Sequence, residues 1–295
     1  MIHTITIPPD ARMAPLMRGY REALSARRRQ MVLGGALVIF AFLLACLGAE
    51  VDPKMFWDHL GNFTSYFYRI SKLESGAFVW TDPVEWYWGL RRWLRLLGET
   101  LLMAYLGTVT GFIGGFIGCF LCSRNLMSRV WVRVLVRRLL EFCRTVPDIV
   151  FALIFVIAFG LGPLPGVIAI AIHTVGALGK LFSEVVESID MKPVEGVAAS
   201  GGTWVEQIRF GVLPQVLSNF ASYGILRFEV NVRGATVLGF VGAGGIGEEL
   251  LTAIRKFYYS DVSAILVLVV ICVMLIDLTS ERIRHRLLAM EGARR

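Results

Sequence analysis

Two stretches of this chain leave little choice of solvent. Met31–Ala49 contains no charged residue, and Ser263–Leu278 contains only Asp277. A helix rises about 1.5 Å per residue, so about 20 mostly apolar residues cross about 30 Å of hydrocarbon. Four further runs read the same way: about Leu97–Cys122, Arg144–Gly160, Pro165–Val186 and Val216–Phe240. The expected fold class is an all-α polytopic membrane protein with about six transmembrane helices. Composition agrees, with 56% apolar and 18% charged residues where soluble domains carry about 25% charged.

The formal net charge of +7 does not indicate nucleic acid. The basic residues flank apolar runs, where they fix topology and meet anionic membrane lipid. Arg12, Arg18, Arg21 and Arg27–Arg29 precede the first run; Arg124, Arg129, Arg133, Arg137 and Arg138 follow the second. Arg282, Arg284, Arg286, Arg294 and Arg295 follow the last. With six spans these segments share one side, the cytoplasm, and both termini lie there. The first run exceeds the roughly 7–15 residues of a signal core and no clean A-x-A site follows it, so it reads as an uncleaved anchor. The expected organisation is a cytoplasmic tail (1–30), an anchor (31–49), an outer segment (50–96), a core (97–282) and a basic cytoplasmic tail (283–295). The outer segment breaks the charge pattern, with Lys54, Arg69, Lys72, Arg91, Arg92 and Arg95. Its end, Trp86–Arg95, reads as an interfacial amphipathic helix whose arginines snorkel. The five cysteines sit in or beside apolar runs, which argues against a disulfide framework, and the lone CxxC at Cys119 and Cys122 reads as two small apolar residues.

Between spans four and five, residues 190–214 carry clear local signals. Pro193 suits a first helical turn and Gly201 a left-handed helix end. Thr203 and Glu206 make a capping box for a second short helix. Pro214 marks entry to span five. The spacing from Glu195 to Gly201 to Leu213-Pro214 resembles the EAA loop of ABC importer permeases. Gly196 and Val197 replace two alanines of that pattern, and Gly211 replaces its isoleucine, the harder departure to rationalise. The resemblance implies that Glu195, Ala198, Ala199, Gly201, Gly202, Thr203, Glu206, Leu213 and Pro214 form a coupling helix seated on an ABC ATPase subunit. No G-x-x-x-x-G-K-[ST] loop occurs here, so no cofactor is expected in this chain; ATP and magnesium belong to the partner ATPase.

Span five holds Arg227, Glu229, Asn231 and Arg233. Intramembrane charges normally face protein or water, because each costs about 2.5–3.5 kcal/mol on insertion scales. Glu229 and Arg233, four apart, share a face and neutralise each other; Arg227 and Asn231 share the opposite one. The candidate translocation path is Arg227, Glu229, Asn231 and Arg233 with His173 in span four, the arginines offering positive potential to an oxyanion in transit. Neutral histidine bonding to a neighbouring helix is the plainer role for His173.

Gly242, Gly244, Gly245 and Gly247 satisfy G-x-G-x-x-G, but the span-length run after them and the lack of a βαβ repeat exclude a dinucleotide site. At membrane depth such glycines permit close packing or a non-helical turn, as at a gate. The string Phe228–Gly247 resembles the signature stretch of phosphonate ABC permeases; Val241–Gly247 alone is shared with methionine-type importers. Val156–Pro163, Ile172-His173-Thr174, Lys180–Glu184 and Val212–Gln215 also match. The resemblance implies a type I ABC permease of the inner membrane that takes up phosphonates or related phosphorus oxyanions. Its implied partners are a second permease copy in a homodimer, ATPase subunits and a periplasmic phosphonate-binding protein. A methionine-type importer is the alternative within transporters. A membrane enzyme would need a nucleophile or metal constellation, and the four histidines are scattered.

Overall fold

A computed structural model describes residues 10–50 and 52–292. The described residues are almost wholly helical, with one isolated β-bridge, Lys72 to Phe78. Arg294 and Arg295 of the basic tail lie outside them, as do residues 1–9 and the side chains of Arg12 and Arg18. The chain divides into two units, Met1–Tyr66 and Phe67–Arg295.

The first unit holds α1, Asp10–Gly48, and most of α2, Pro53–Ile70. The second begins with the end of α2 and a single turn, α3 (Pro83–Trp86), capped by Asp82. Helices α4 (Leu90–Cys122), α5 (Val130–Thr145), α6 (Asp148–Phe159) and α7 (Pro163–Glu187) follow. Then come α8 (Lys192–Ala199), α9 (Trp204–Glu206), α10 (Leu213–Leu238), α11 (Gly245–Arg255) and α12 (Tyr259–Gly292).

Among the described residues, four helical stretches are long and apolar enough to cross a membrane: Gly19–Gly48, Leu90–Cys122, Pro163–Glu187 and Tyr259–Arg286. Two bent pairs bring the number to six if each pair is one span. Val130–Thr145 meets Asp148–Phe159 at 86°, and Trp204–Val241 meets Gly245–Arg255 at 48°. The first bend has a local cause. Pro147 lacks an N–H and drives the residue before it out of the helical region, and Val146 is extended, with φ −74 and ψ 124. The run read as one span from Arg144 is therefore a 12-residue helix entered from an amphipathic one. The outer segment also differs from its reading. Arg91, Arg92 and Arg95 belong to the first turns of α4, continuous with the span, so Trp86–Arg95 is not a separate interfacial helix. The amphipathic helix of this segment is α2.

Helices α4 and α7 share the most extensive contact in the second unit, and glycines explain it. Gly107, Gly111 and Gly115 repeat every four residues along α4, and a β-carbon on each would collide with α7: with Ile170, Thr174 and the backbone of Gly179 respectively. Small residues at this spacing let two backbones approach closely in lipid, where dispersion must drive association. Near one end, Phe112, Phe116, Phe120, Phe182 and Phe220 pack together, with Phe182 and Phe220 stacked at 4.0 Å between centroids. Near the other, Trp93, Ile246 and Ile265 are fully buried between α4, α11 and α12.

Candidate functional site

Three assemblies of the second unit carry candidate functional residues: an elbow at one end, a polar cluster at mid-helix, and a glycine turn at the opposite end.

The elbow is built locally. Pro193 lies in the first turn of α8. Gly201 follows the helix with φ +86, and Gly202 N–H closes the turn on the Val197 carbonyl at 2.9 Å. The Thr203 N–H donates to Glu206 Oε2 at 2.6 Å and its hydroxyl to the same oxygen at 2.8 Å, while Glu206 N–H reaches Thr203 Oγ1 at 3.5 Å. The Thr203 backbone amide is the main cause, and its hydroxyl the second, holding the Glu206 carboxyl below its ordinary pKa. From Trp204 the chain is helical through Leu238. It passes through a π-helical stretch, Gln207–Val212, where the Leu213 N–H bonds to the Ile208 carbonyl. Pro214 has no N–H for the Phe210 carbonyl, and a wider turn just before it absorbs that mismatch.

Gly211 now has a reason. A β-carbon there would stand 2.8 Å from Val194 Cα and 3.0 Å from its Cγ2, so only glycine lets α8 rest on the base of α10. Glu195, Gly196, Ala198, Ala199, Gly201, Thr203 and Glu206 face outward, while Val194 is buried. Leu213 is half-buried and Pro214 exposed. Behind the elbow, Glu187 accepts from the Arg124 N–H at 2.9 Å and from Arg137 at 2.8 Å, and Arg137 also reaches the Cys122 carbonyl at 3.2 Å. Trp204 Nε1 donates to the Leu126 carbonyl at 3.2 Å. These clamps join the ends of α4, α5 and α7, and sequence reading did not find them, because they pair residues more than 10 positions apart.

The polar cluster joins three helices. Asn231 Nδ2 donates to Thr108 Oγ1 at 2.8 Å and to Thr174 Oγ1 at 2.9 Å, bridging α10 to α4 and α7. Arg227 contacts His173 Nδ1 and reaches Thr174 Oγ1 at 3.4 Å. Arg227, Asn231 and His173 thus come together, with Thr108 and Thr174 as members the sequence reading missed. The adjacency of Thr174 to His173 and its recurrence with Thr108 in apolar runs were the available signals. The Asp148 carboxylate, opening α6, acts electrostatically on both His173 and Arg227. On another face Glu229, 5% exposed, pairs with Arg233, whose side chain is 54% exposed. Glu229 Oε2 has no hydrogen-bond partner among the described residues.

At the opposite end, Gly242, Gly244 and Gly245 have φ of +89, +77 and +75. They form a non-helical turn between α10 and α11, and Gly242 accepts from the Gly162 N–H at 3.0 Å. Ile246 N–H donates to Thr100 Oγ1 at 2.9 Å. A β-carbon on Gly247 would run into the Thr236 carbonyl. The described residues hold no group of three or more His, Cys, Asp or Glu side chains suited to a metal.

A bundle of continuous and broken spans, joined by a helix–turn–helix elbow seated on a glycine, defines the type I permease of an ABC importer. The family model described as "Binding-protein-dependent transport system inner membrane component" matches residues 107–288, and the chain belongs to that family. It is 41% identical over 196 residues to the phosphite transport system permease protein PtxC of Stutzerimonas stutzeri, covering 66% of this chain and 71% of that one. It is 51% identical over 117 residues to PhnE2 of Escherichia coli K12, a permease protein assigned to a cryptic phosphonate transport system, covering 40% and 96%. A solved structure of the MetNI methionine ABC transporter in an inward-facing conformation superposes with a TM-score of 0.59 at 22% identity, covering 70% and 98%. That likeness establishes the fold alone. The protein is a multi-pass bacterial membrane component of a transport system.

Proposed function

We propose that this chain is the permease of an ATP-driven importer for phosphonates or related phosphorus oxyanions. The names of its relatives support the cargo class, and one observation carries the reading: a part-buried guanidinium inside the helix bundle whose direct contacts leave it without an ion-pair partner among the described residues. The direct contacts of Arg227 are His173 and a threonine hydroxyl; the Asp148 carboxylate acts on it electrostatically but makes no ion pair with it. A planar guanidinium suits phosphoryl oxygens; Arg233, half-exposed and paired with Glu229, offers a second on another face of the helix. Affinity along a path must stay modest, or the anion would not leave.

The elbow supplies the drive. Its outward face docks on a separate ATPase subunit that holds ATP and magnesium, and this chain catalyses no reaction itself. Because α8, the turn and α10 form one continuous body, displacement of the elbow moves a spanning helix rather than bending a loop. Two copies of the chain rock between inward-facing and outward-facing states. The elbow and both termini lie in the cytoplasm, and the glycine turn faces a periplasmic binding protein that selects the cargo.

Uptake of radiolabelled phosphonate and phosphite by purified complex in liposomes tests this. Arg227→Gln and Arg233→Gln are expected to reduce uptake while ATP hydrolysis persists. Wild-type uptake by both variants would place the path elsewhere.

A further inference from the structure

Helix α2 is the one element of the 53–89 segment whose apolar face the transport reading leaves unused. Phe56, Leu60, Phe63 and Phe67 recur at three- and four-residue steps and fill one arc. Lys54, Asp58, Asn62, Ser65 and Arg69 fall on the other. No residue of the helix is buried; Phe56 is 62% and Phe63 63% exposed. A stripe of this kind does not face water in a stable protein.

Chain connectivity says what covers it. Helix α1 carries exposed aliphatic residues up to Leu47 and ends at Gly48, and α2 starts at Pro53. The connecting residues span on the order of 15 Å at full extension, so α2 begins close to where a membrane span leaves the hydrocarbon. Its far end is held at the start of another span: Arg69 donates to the Tyr259 hydroxyl at 3.3 Å, and Tyr259 opens α12. An amphipathic helix that follows a span's end this closely lies at headgroup depth. Its composition suits that depth: Trp57, Tyr66 and Tyr68 have rings with one apolar and one polar end, and Lys54 on the polar arc carries the charge that lipid phosphates attract. Asp58 sits on the water-facing arc, away from those phosphates.

We propose that α2 lies in the plane of the bilayer interface with Phe56, Leu60, Phe63 and Phe67 against the acyl chains, so that its partner is lipid. By the orientation given above this is the outer leaflet. The seating itself does not depend on which leaflet is named, and it stands if the cargo reading fails.

The test is a depth measurement on the complete protein. Leu60→Cys and Phe63→Cys sample the apolar arc; Asn62→Cys and Ser65→Cys sample the polar one. The half-buried Cys46 and Cys272 are replaced by alanine, and the buried Cys119, Cys122 and Cys143 stay in place. Each variant carries a nitroxide and is reconstituted into vesicles of phosphatidylethanolamine and phosphatidylglycerol. Collisions with oxygen are expected to exceed those with a water-soluble nickel chelate severalfold at 60 and 63, and the reverse at 62 and 65. Equal nickel access at all four positions puts the helix in water and overturns the proposal. Low access to both reagents at 60 and 63 means protein covers the stripe, a second copy or the binding protein, and overturns it equally.

Discussion

Val194 Cα lies 2.8 Å from the point where a β-carbon on Gly211 would stand. Backbone therefore rests on backbone where the short helix α8 meets the foot of α10, with the Val194 side chain packed beside the joint. Such a contact transmits displacement with little loss, since packed interiors resist compression.

Gly211→Val tests that joint. The added side chain must lift α8 off α10, because the atoms it meets include main chain that cannot rotate away. We expect the complex to assemble and hydrolyse ATP while uptake falls by about tenfold or more, a loss equivalent to at least about 1.4 kcal/mol in the coupled step. Hydrolysis and uptake measured in the same proteoliposomes give the ratio. An unchanged ratio would mean that the joint transmits nothing.

Gly201 makes a different demand. A β-carbon there has nothing within 4 Å, yet φ is +86. The constraint is backbone conformation, not space. Asparagine tolerates the left-handed region and β-branched residues do not. Gly201→Asn should keep transport, whereas Gly201→Val should open the turn and uncouple hydrolysis from uptake. Equal behaviour of the two variants would remove the conformational explanation.

The Thr203–Glu206 box sets a pH dependence whose sign can be worked out. The Thr203 amide and hydroxyl hold the carboxyl of Glu206 below its ordinary value. A carboxyl lowered in the folded state stabilises fully above its unfolded value, near 4.5, and that contribution vanishes as pH falls through the lowered folded value. Protection of the Thr203 amide from hydrogen exchange, corrected for intrinsic rates, should stay level from neutral pH to about 4.5 and collapse below it. Glu206→Gln should show weaker protection with no such fall. A titration centred at or above the ordinary value would show that the box does not favour the charged form.

Much of this arrangement was legible because it is local. A capping box needs only Thr203 and Glu206 at the right spacing, and a span needs only a run of apolar residues. What escaped was whatever depends on a second element. Gly211 looked like a departure from pattern until Val194 was seen above it. Asn231 and Arg227 were read as one face of a helix, but their partners Thr108 and Thr174 lie more than 50 positions away. Pro147 was a visible helix breaker, yet hydropathy averaged it into a run. Helix α2 was missed for a related reason: its polar arc dilutes the apolar one in any average that ignores periodicity.

Two glycines of α4 make opposite predictions. Gly111 faces α7: its β-carbon would stand 2.5 Å from Thr174 Cβ and 2.9 Å from the Ala171 carbonyl. Gly98 lies in the same helix with nothing within 4 Å. Gly111→Ala must push α7 away and displace Thr174, which accepts from Asn231 and Arg227. Interhelical hydrogen bonds in membranes average about 0.6 kcal/mol, up to about 1.7, so the lost bridge adds to the overpacking cost of about 1–3 kcal/mol. Gly98→Ala meets no obstacle and removes a residue that disfavours helix. Thermal unfolding in detergent should therefore move down for Gly111→Ala and stay level or rise for Gly98→Ala. Uptake should fall only in the first. If both variants melt with the wild type, α4 and α7 are not in the close contact described.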